Sequence, residues 1–435
     1  MSPQSIGLLS IGLLMLFIAL GCPIGLAMII VGAGGFAAIV GIDPAFNILE
    51  TGAFETASNY SLTLIPLFLL MGNLISQSGL SRDLFLAAKK FTGGWNGGLA
   101  IAGLTSSAAF SAVSGSSLAT ASTMTKVAYP EMMSHGYDKR LAAGSLAAGG
   151  TLGIMIPPSI ALLLYALITE QSVRDMFLAG FFPGVLAFSL YLLTIIIMAK
   201  HWKAESSTKN SQELGSYGLA LKRFLPIAFL FGLVMGGLYG GLFTPTEAGG
   251  AGATLALFFF LWRKRNSEKR WHALKGILTE TVRMTATIFM ILIGAEIFGY
   301  LLSVSQVSFE MINFIHENQF KPWQILAIIL TFYIVMGFFM ESLSMILLTV
   351  PIFFPVIIEA GFDPVWFGIL IVVTVEMGLL TPPVGMNLFV VKDAAKDLAL
   401  RDIIKGVMPF FIADIIRLGI LIAFPIISLY LPQIL

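Results

Sequence analysis

The sequence predicts an all-α polytopic membrane protein made of two inverted repeats, each with five crossings, one re-entrant hairpin and one broken helix. Of its 435 residues, 57% are hydrophobic and 11% are charged, whereas about a quarter of the residues are charged in a soluble domain. Apolar stretches close to the roughly 20 residues that a helix needs to cross a bilayer recur along the whole chain. Several short motifs also occur twice at a fixed displacement.

Apolar runs separated by polar residues predict the crossings. The first run lacks the basic region and the cleavage site of a signal peptide, so we expect it to remain in the membrane as a helix. The predicted crossings cover residues 6–20, 24–40, 62–78, 140–170, 176–199, 224–241, 245–262, 281–303, 365–391 and 407–430.

Two further apolar stretches, 98–133 and 322–358, are too long for one crossing. The segments 114–117 and 337–344, which contain glycine and polar residues, interrupt them near the middle. Irregular backbone at membrane depth persists only where protein or a water-filled cavity satisfies its polar groups. We therefore predict two re-entrant hairpins, each of which enters and leaves on one side of the membrane.

The distribution of charge predicts the orientation. Most of the 25 Lys and Arg residues lie in segments 80–92, 126–140, 200–223, 263–275 and 392–405, and the opposite loops are mainly acidic. Short cytoplasmic loops are enriched in Lys and Arg. The asymmetry predicts that both termini are periplasmic, that the first hairpin opens from the cytoplasm and that the second opens from the periplasm.

An internal repeat divides the chain into residues 1–215 and 216–435. Each half has an odd number of predicted crossings, so the second copy is expected to be inverted. Inverted repeats are typical of secondary transporters, whose substrate site lies at the repeat interface near the membrane midplane. A duplication kept only for packing is the alternative. Displaced by 225 residues, Pro130, Gly136, Asp138, Gly153, Pro157 and Pro158 match Pro355, Gly361, Asp363, Gly378, Pro382 and Pro383.

Paired prolines interrupt one crossing in each half, at 157–158 and at 382–383. Proline cannot donate a hydrogen bond to the carbonyl four residues earlier. The carbonyls of Gly153 and Ile154, and those of Gly378 and Leu379, are therefore predicted to be free. Unwound backbone of this kind coordinates Na⁺ or H⁺ in transporters. The alternative is a kink whose carbonyls are satisfied by Ser, Thr or water.

The hairpin tips carry complementary chemistry. In the first tip, serine hydroxyls surround Gly115, which permits a tight turn. The helix expected to start near Leu118 would point its positive end at an anion. In the second tip, Glu341 and Ser342 occupy the matching positions, and a carboxylate at membrane depth indicates a function. The alternative is that these small residues only let helices pack closely.

Other polar residues within the crossings have simpler interpretations. Asn387 either orients a substrate group or makes an interhelical hydrogen bond. Arg283 is expected to snorkel from a cytoplasmic helix end, and Asp414 and Arg417, three residues apart, are positioned to pair. We place none of these three charged residues in the site, and we exclude Glu296 as well.

Composition also argues against other classes of protein. With a net charge of +1 and no long basic run, we expect no nucleic-acid partner, because phosphate binding needs clustered cations. The single cysteine, Cys22, excludes a disulfide framework and a cysteine-based metal site. A membrane-embedded enzyme is disfavoured because no His lies in an apolar core and no paired intramembrane carboxylates are expected. A passive channel is disfavoured because closed hairpins indicate alternating access.

Four runs together resemble the large permease subunit of tripartite ATP-independent periplasmic (TRAP) transporters, the DctM-like family. They are Gly-Ser-Ser at 115–117, Gly-x-x-Ile-Pro-Pro-Ser at 153–159, Thr-Pro-Thr-Glu-Ala at 244–248 and Thr-Pro-Pro-Val-Gly-x-Asn-Leu-Phe at 381–389. The resemblance covers essentially the whole chain. It implies an elevator-type transporter in the lipid of a bacterial inner membrane, with no enzymatic activity.

The resemblance also implies the cargo and the partners. Uptake of a small organic anion, such as a C4-dicarboxylate, keto acid or sugar acid, would be driven by Na⁺ as the coupling ion. A periplasmic substrate-binding protein would deliver the anion, and a separate small membrane subunit would brace the permease. The nearest alternative is a self-sufficient Na⁺/dicarboxylate symporter of the same superfamily.

The resemblance and the motifs together name the candidate site residues. The substrate is expected at Ser116, Ser117, Ser159, Glu341, Ser342 and Asn387. One Na⁺ is expected at Ser114, Gly115, Ser117, Gly153, Ile154 and Pro157, and another at Glu341, Ser342, Gly378, Leu379, Thr381 and Gly385.

Overall fold

The computed structural model describes residues 1–202, 216–382 and 385–435, and all the regular secondary structure in these ranges is helical. A short 3₁₀ turn, Tyr60–Thr63, precedes α4. The first half contains α1 (Pro3–Ala19), α2 (Ile24–Val40), α3 (Ile42–Ser58), α4 (Leu64–Gln77), α5 (Leu80–Thr92), α6 (Gly98–Ser114), α7 (Ser117–Ser134), α8 (Lys139–Met155), α9 (Ile160–Ile168) and α10 (Val173–His201). The second half contains α11 (Tyr217–Tyr239), α12 (Pro245–Arg263), α13 (Arg270–Ser305), α14 (Val307–Glu317), α15 (Pro322–Gly337), α16 (Ser342–Glu359), α17 (Pro364–Leu380), α18 (Met386–Ala394), α19 (Leu400–Ala423) and α20 (Ile426–Ile434).

Each predicted crossing coincides with a helix or with a pair of helices that share a break. Within the described ranges, 7 helical segments are long and apolar enough to cross a membrane. One of these, Ser342–Glu359, is the second arm of the second predicted hairpin, and the others lie at predicted crossings. Helices α1 and α2 are apolar and slightly shorter. The chain is therefore a multi-pass membrane protein.

Three polar segments outside the predicted crossings and hairpins are helices and not loops: α3, α5 and α14. Their apolar residues repeat at helical spacing, so each has one face to bury. In α5, Asp83 lies in the first turn and Lys89 and Lys90 lie in the last turn, where they complement the helix dipole. The predicted crossing 407–430 is also displaced, because α19 ends at Ala423, two residues before Pro425, and the residue before a proline disfavours helix.

The repeated motifs have matching secondary structure. Helices α7 and α16 begin and end 225 residues apart, and so do α8 and α17. The matched residues Asp138 and Asp363 are both N-caps, whose carboxylates accept backbone N–H groups at 2.8 and 2.9 Å. The inverted orientation of the halves stays a prediction, and the matched Pro383 and the boundary near residue 215 lie outside the described residues.

The helices pack in two groups. Helices α1–α4 pack mainly with one another and with α11–α14, which we call the first group, and α6–α10 pack mainly with one another and with α15–α20, which we call the second group. Helix α5 packs on α6 and on α11, between the two groups. Both predicted hairpins and both broken helices belong to the second group. Contacts of α6 with α4 and α5, and of α16 with α13 and α14, join the two groups.

A buried ionic network lies inside the second group. Arg417 of α19 contacts Glu376 of α17 at 2.5 Å and Asp414 at 3.1 Å, and all three side chains are 0% exposed. Tyr191 of α10 donates its hydroxyl to Asp414 at 2.7 Å. The predicted pairing of Asp414 with Arg417 is confirmed. The expected absence of paired intramembrane carboxylates is wrong, because the arrangement of the helices brings Glu376 of α17 and Asp414 of α19 to the same cation, Arg417.

Candidate functional site

Both predicted hairpin tips line the same cavity, which has a volume of about 430 Å³. The first tip contributes residues 114–119 and the second contributes residues 341–344. Helices α4, α8, α9 and α13 supply the remaining walls, including Asn73, Glu280, Arg283 and Thr287. We call this space the tip cavity. Side chains from both halves of the sequence, and from both packing groups, therefore meet around it.

Local backbone geometry shapes the first tip. Helix α6 ends at Ser114, Gly115 adopts a left-handed conformation with φ of 61°, and α7 begins at Ser117. Glycine adopts this conformation at little cost. Ser116 caps α7 by accepting the N–H of Ala119 at 3.4 Å. A side chain on Gly72 of α4 would place its Cβ 2.7 Å from the Ser114 carbonyl oxygen, so a glycine lets the tip rest on α4.

The second tip uses a carboxylate as its cap. Glu341 accepts the N–H groups of Leu343 and Ser344, both at 3.1 Å, and the Ser342 hydroxyl donates to it at 3.0 Å. The N-terminal end of a helix stabilises such a negative charge. Ser116 and Glu341 thus occupy equivalent cap positions, but only the second cap is charged.

The first broken helix contacts the first tip. A Cβ on Gly153 would lie 3.1 Å from the Ser116 carbonyl oxygen, and one on Gly115 would lie 3.1 Å from the Pro158 carbonyl oxygen. The prediction that the Ile154 carbonyl is free is wrong, because it accepts a hydrogen bond from the Ser159 hydroxyl. A serine that follows the two prolines reaches back to this carbonyl, so the alternative of a kink whose carbonyl is satisfied by Ser is confirmed here.

The second broken helix is arranged similarly. Helix α17 ends at Leu380, and the Gly378 carbonyl accepts the N–H of Thr381 at 3.2 Å. This carbonyl is therefore not free, contrary to the prediction. Gly378 packs on Gly337 of the second hairpin so closely that a Cβ on Gly378 would lie 2.5 Å from the Gly337 Cα atom. Gly385 has a φ of 55° at the start of α18.

Asn387 connects the two halves. Its amide contacts the Ser117 hydroxyl at 2.7 and 2.9 Å and donates to the Ala147 carbonyl at 3.2 Å. Asn387 is 0% exposed and Ser159 is 1% exposed, and neither lines the tip cavity. Of the predicted substrate residues, Ser116, Ser117, Glu341 and Ser342 line it. Asn387 makes the interhelical bond that was its alternative interpretation.

Arg283 is a site residue that was not predicted from the sequence. It lines the tip cavity together with Glu280 and Thr287. Arg283 lies 13 residues beyond the start of α13 at Arg270, which corresponds to about 20 Å along the helix axis. Arg283 is therefore not close to the end of its helix, where the sequence had predicted it. Its position inside a predicted crossing was the available signal, because ionisable residues in crossings usually face a cavity or a partner.

A second cavity continues along α13. It has a volume of about 970 Å³, and α13 lines it with Leu292, Ala295, Glu296 and Gly299. The α13 residues that line the tip cavity lie earlier in the helix, between 280 and 291. Glu296 accepts a hydrogen bond from the Thr56 hydroxyl. Acidic residues from three further elements, Glu55, Glu170 and Glu247, line the same space. The two cavities thus follow one another along one long helix.

The model of the "Tripartite ATP-independent periplasmic transporter, DctM component" family matches residues 11–427. The chain belongs to this family. It is 36% identical over 380 residues to the "C4-dicarboxylate TRAP transporter large permease protein DctM" of Pseudomonas aeruginosa, covering 87% of this chain and 88% of the relative. It is 30% identical over 427 residues to the "Isethionate TRAP transporter permease protein DctMQ" of Oleidesulfovibrio alaskensis, covering 97% of this chain and 65% of the relative.

Among solved structures, the chain is similar in fold to the YdaH transporter of Alcanivorax borkumensis. The TM-score is 0.52 and the identity is 15%, over 88% of this chain and 89% of that one. The family and the relatives make this chain the large permease subunit of a TRAP transporter, which confirms the resemblance described above. It is a transport protein and not an enzyme.

Proposed function

We propose that this DctM subunit takes up a small organic anion together with Na⁺, and that a periplasmic binding protein delivers the anion. The observation that carries the proposal is that two hairpin tips with different charge meet at one cavity. The names of the two relatives support an organic anion as cargo, since one names C4-dicarboxylate and the other isethionate.

The first tip suits an anion. Its cap is the neutral Ser116, so no carboxylate offsets the positive N-terminal end of α7. The first N–H groups of a helix have no partner within the helix. In α7 these groups belong to Ser117 and the residues that follow it. Because Ser116 and Ser117 line the tip cavity, an anion bound there would meet both hydroxyl and amide donors.

The second tip suits a cation. Glu341 brings a negative charge to the tip cavity, and Ser342 adds a hydroxyl oxygen. We assign Glu341, Ser342, Gly378, Leu379, Thr381 and Gly385 to one Na⁺. Although the Gly378 carbonyl already accepts one hydrogen bond, a carbonyl oxygen has a second lone pair that can bind a cation.

The other Na⁺ is assigned to the first half, where the tip contacts the broken helix. Its proposed ligands are Ser114, Gly115, Ser117, Gly153, Ile154 and Pro157. The close contacts of Gly153 with Ser116 and of Gly115 with Pro158 support a compact oxygen cage. Binding of Na⁺ would then hold the tip in the shape that receives the anion, so each ligand would tighten the other by the same factor.

Transport would follow an elevator movement. We propose that the second group, which carries both tips, moves against the first group, which supplies α4 and α13. Both termini would be periplasmic, and a separate small membrane subunit would support the first group. The DctMQ relative, of which this chain covers 65%, supports a partner that is joined to the permease in some family members.

Reconstituted uptake tests the proposal. The chain would be placed in proteoliposomes alone, with the small subunit, and with the small subunit plus the loaded binding protein, each under a sodium, potassium or proton gradient. We expect concentrative uptake only with both partners and inward-directed Na⁺. Uptake by the chain alone would favour the self-sufficient symporter. Uptake driven by protons without Na⁺ would contradict the assigned coupling ion.

A further inference from the structure

We propose that Arg283 binds one carboxylate of a dicarboxylate substrate while the N-terminal end of α7 binds the other. The proposal rests on the proposed function, because it concerns the anion in the tip cavity. It adds a substrate residue from the first group, whereas all the substrate residues predicted from the sequence lie in the second group.

The charge of Arg283 suits an anion in the tip cavity. Arg283 is the only Lys or Arg among the described residues that line the tip cavity. Its side chain is exposed, and within the described ranges no carboxylate lies within ion-pair distance of it. A guanidinium presents several N–H donors in a plane that matches a carboxylate. An exposed, unpaired guanidinium on the wall of a cavity is therefore prepared for an anionic ligand.

The position of Arg283 on α13 also supports the proposal. Both tips and Arg283 border the same space of about 430 Å³, a size typical of small-molecule sites. Three helices begin at this space. The N-terminal end of α16 is already occupied by the Glu341 carboxylate, and the cap of α9, Ser159, is buried and does not line the space, whereas Ser116 and Ser117 of α7 do. The available anion sites are therefore α7 and Arg283, which come from different packing groups. An anion with two separated carboxylates would bridge them.

Glu280 allows a second test, because its charge is opposite to that of Arg283 and its removal should have the opposite effect on dicarboxylate binding. It precedes Arg283 by three residues on α13, so the two side chains project from the same side of the helix, and both line the tip cavity. Its negative charge would repel the substrate. Removal of that charge should strengthen dicarboxylate binding, whereas removal of the Arg283 charge should weaken it.

A cysteine protection assay on the purified chain tests Arg283 without the other subunits. In a Cys22→Ser background, Thr287→Cys places a reporter on α13 one turn from Arg283, at another cavity-lining position. Its reaction with a maleimide would be followed against succinate concentration in Na⁺. We expect Arg283→Gln to raise the half-protecting succinate concentration about ten- to a hundredfold, the range for loss of a hydrogen bond to a charged group.

Three variants and a second probe sharpen the assay. Arg283→Lys keeps the charge without the planar donors, so its value should fall between those of the parent and of Arg283→Gln. Glu280→Gln should lower the half-protecting concentration severalfold. Arg270→Gln, which removes a cation from α13 outside the tip cavity, should leave it unchanged. Butyrate has one carboxylate that α7 can hold, so its protection should depend less on Arg283.

The unliganded labelling rate checks that each variant keeps the cavity. If succinate protects the Arg283 and the Arg283→Gln proteins equally, the assignment of Arg283 is wrong while the proposed function stands. If succinate gives no protection in the Arg283 protein, the dicarboxylate assignment is wrong, and reconstituted uptake of another anion would show that the proposed function survives.

Discussion

The Ser117 hydroxyl joins the first tip to the second broken helix, so its removal tests both the proposed Na⁺ site and the link between the halves. Ser117 is 4% exposed, and its oxygen lies 2.9 and 2.7 Å from the amide oxygen and nitrogen of Asn387. In Ser117→Ala, Asn387 keeps its bond to the Ala147 carbonyl at 3.2 Å but loses the hydroxyl.

The size of the effect follows from this geometry. One buried polar group loses one partner, which costs about 1 to 3 kcal/mol. If that cost falls on the Na⁺-bound state, the sodium concentration for half-maximal uptake should rise about five- to a hundredfold. The assay is the sodium dependence of uptake in proteoliposomes that contain all three components. An unchanged sodium curve for Ser117→Ala would refute the assignment of Ser117 as a ligand.

A double-mutant cycle separates the two roles of Ser117. If the serine acts only by holding Asn387, then Asn387→Ala should produce the same shift and the double variant should add nothing. If it also binds Na⁺, the double variant should be weaker than either single variant. Ser189→Ala is the matched control, because that hydroxyl donates to the Val185 carbonyl of its own helix at 2.7 Å and does not line the tip cavity. Its sodium curve should match that of the parent protein.

Three further predictions concern packing, stability and topology. Gly72→Ala should reduce uptake about five- to a hundredfold, because the new Cβ would lie 2.7 Å from the Ser114 carbonyl oxygen and overpacking costs about 1 to 3 kcal/mol. Gly250→Ala is the control, because the space around Gly250 is open, and its uptake should match that of the parent protein. Equal uptake by the Gly72→Ala and Gly250→Ala variants would show that the tip does not rest on α4. Arg417→Met should destabilise the detergent-solubilised protein by about 3 to 5 kcal/mol, since it leaves two buried carboxylates without their cation, and an unchanged thermal midpoint would contradict this. In a Cys22→Ser background, Glu50→Cys should react with an impermeant maleimide in spheroplasts and Lys396→Cys only after lysis, and the reverse pattern would overturn the orientation.

The sequence by itself determined where the apolar helices lie and where they are interrupted. Hydrophobicity and the effects of glycine and proline are local. The breaks near Pro157 and Pro382 and the turn at Gly115 could therefore be located from the local sequence alone. The displacement of 225 residues also predicted that Ser116 and Glu341 are equivalent, and both are helix caps. Amphipathic α3 and α5 were missed because a helix with one polar face contains too many polar residues to resemble a crossing.

Only the tertiary structure decided which polar groups have partners. The Ile154 carbonyl is satisfied because Ser159 turns back towards it, and the carboxylate of Glu376 is neutralised by Arg417, 41 residues away. Arg283 belongs to the tip cavity only because α13 packs across the space between two hairpins distant in sequence. Hydrogen bonds and ion pairs act over a few ångströms, so their partners depend on how the helices are arranged, which local patterns do not encode.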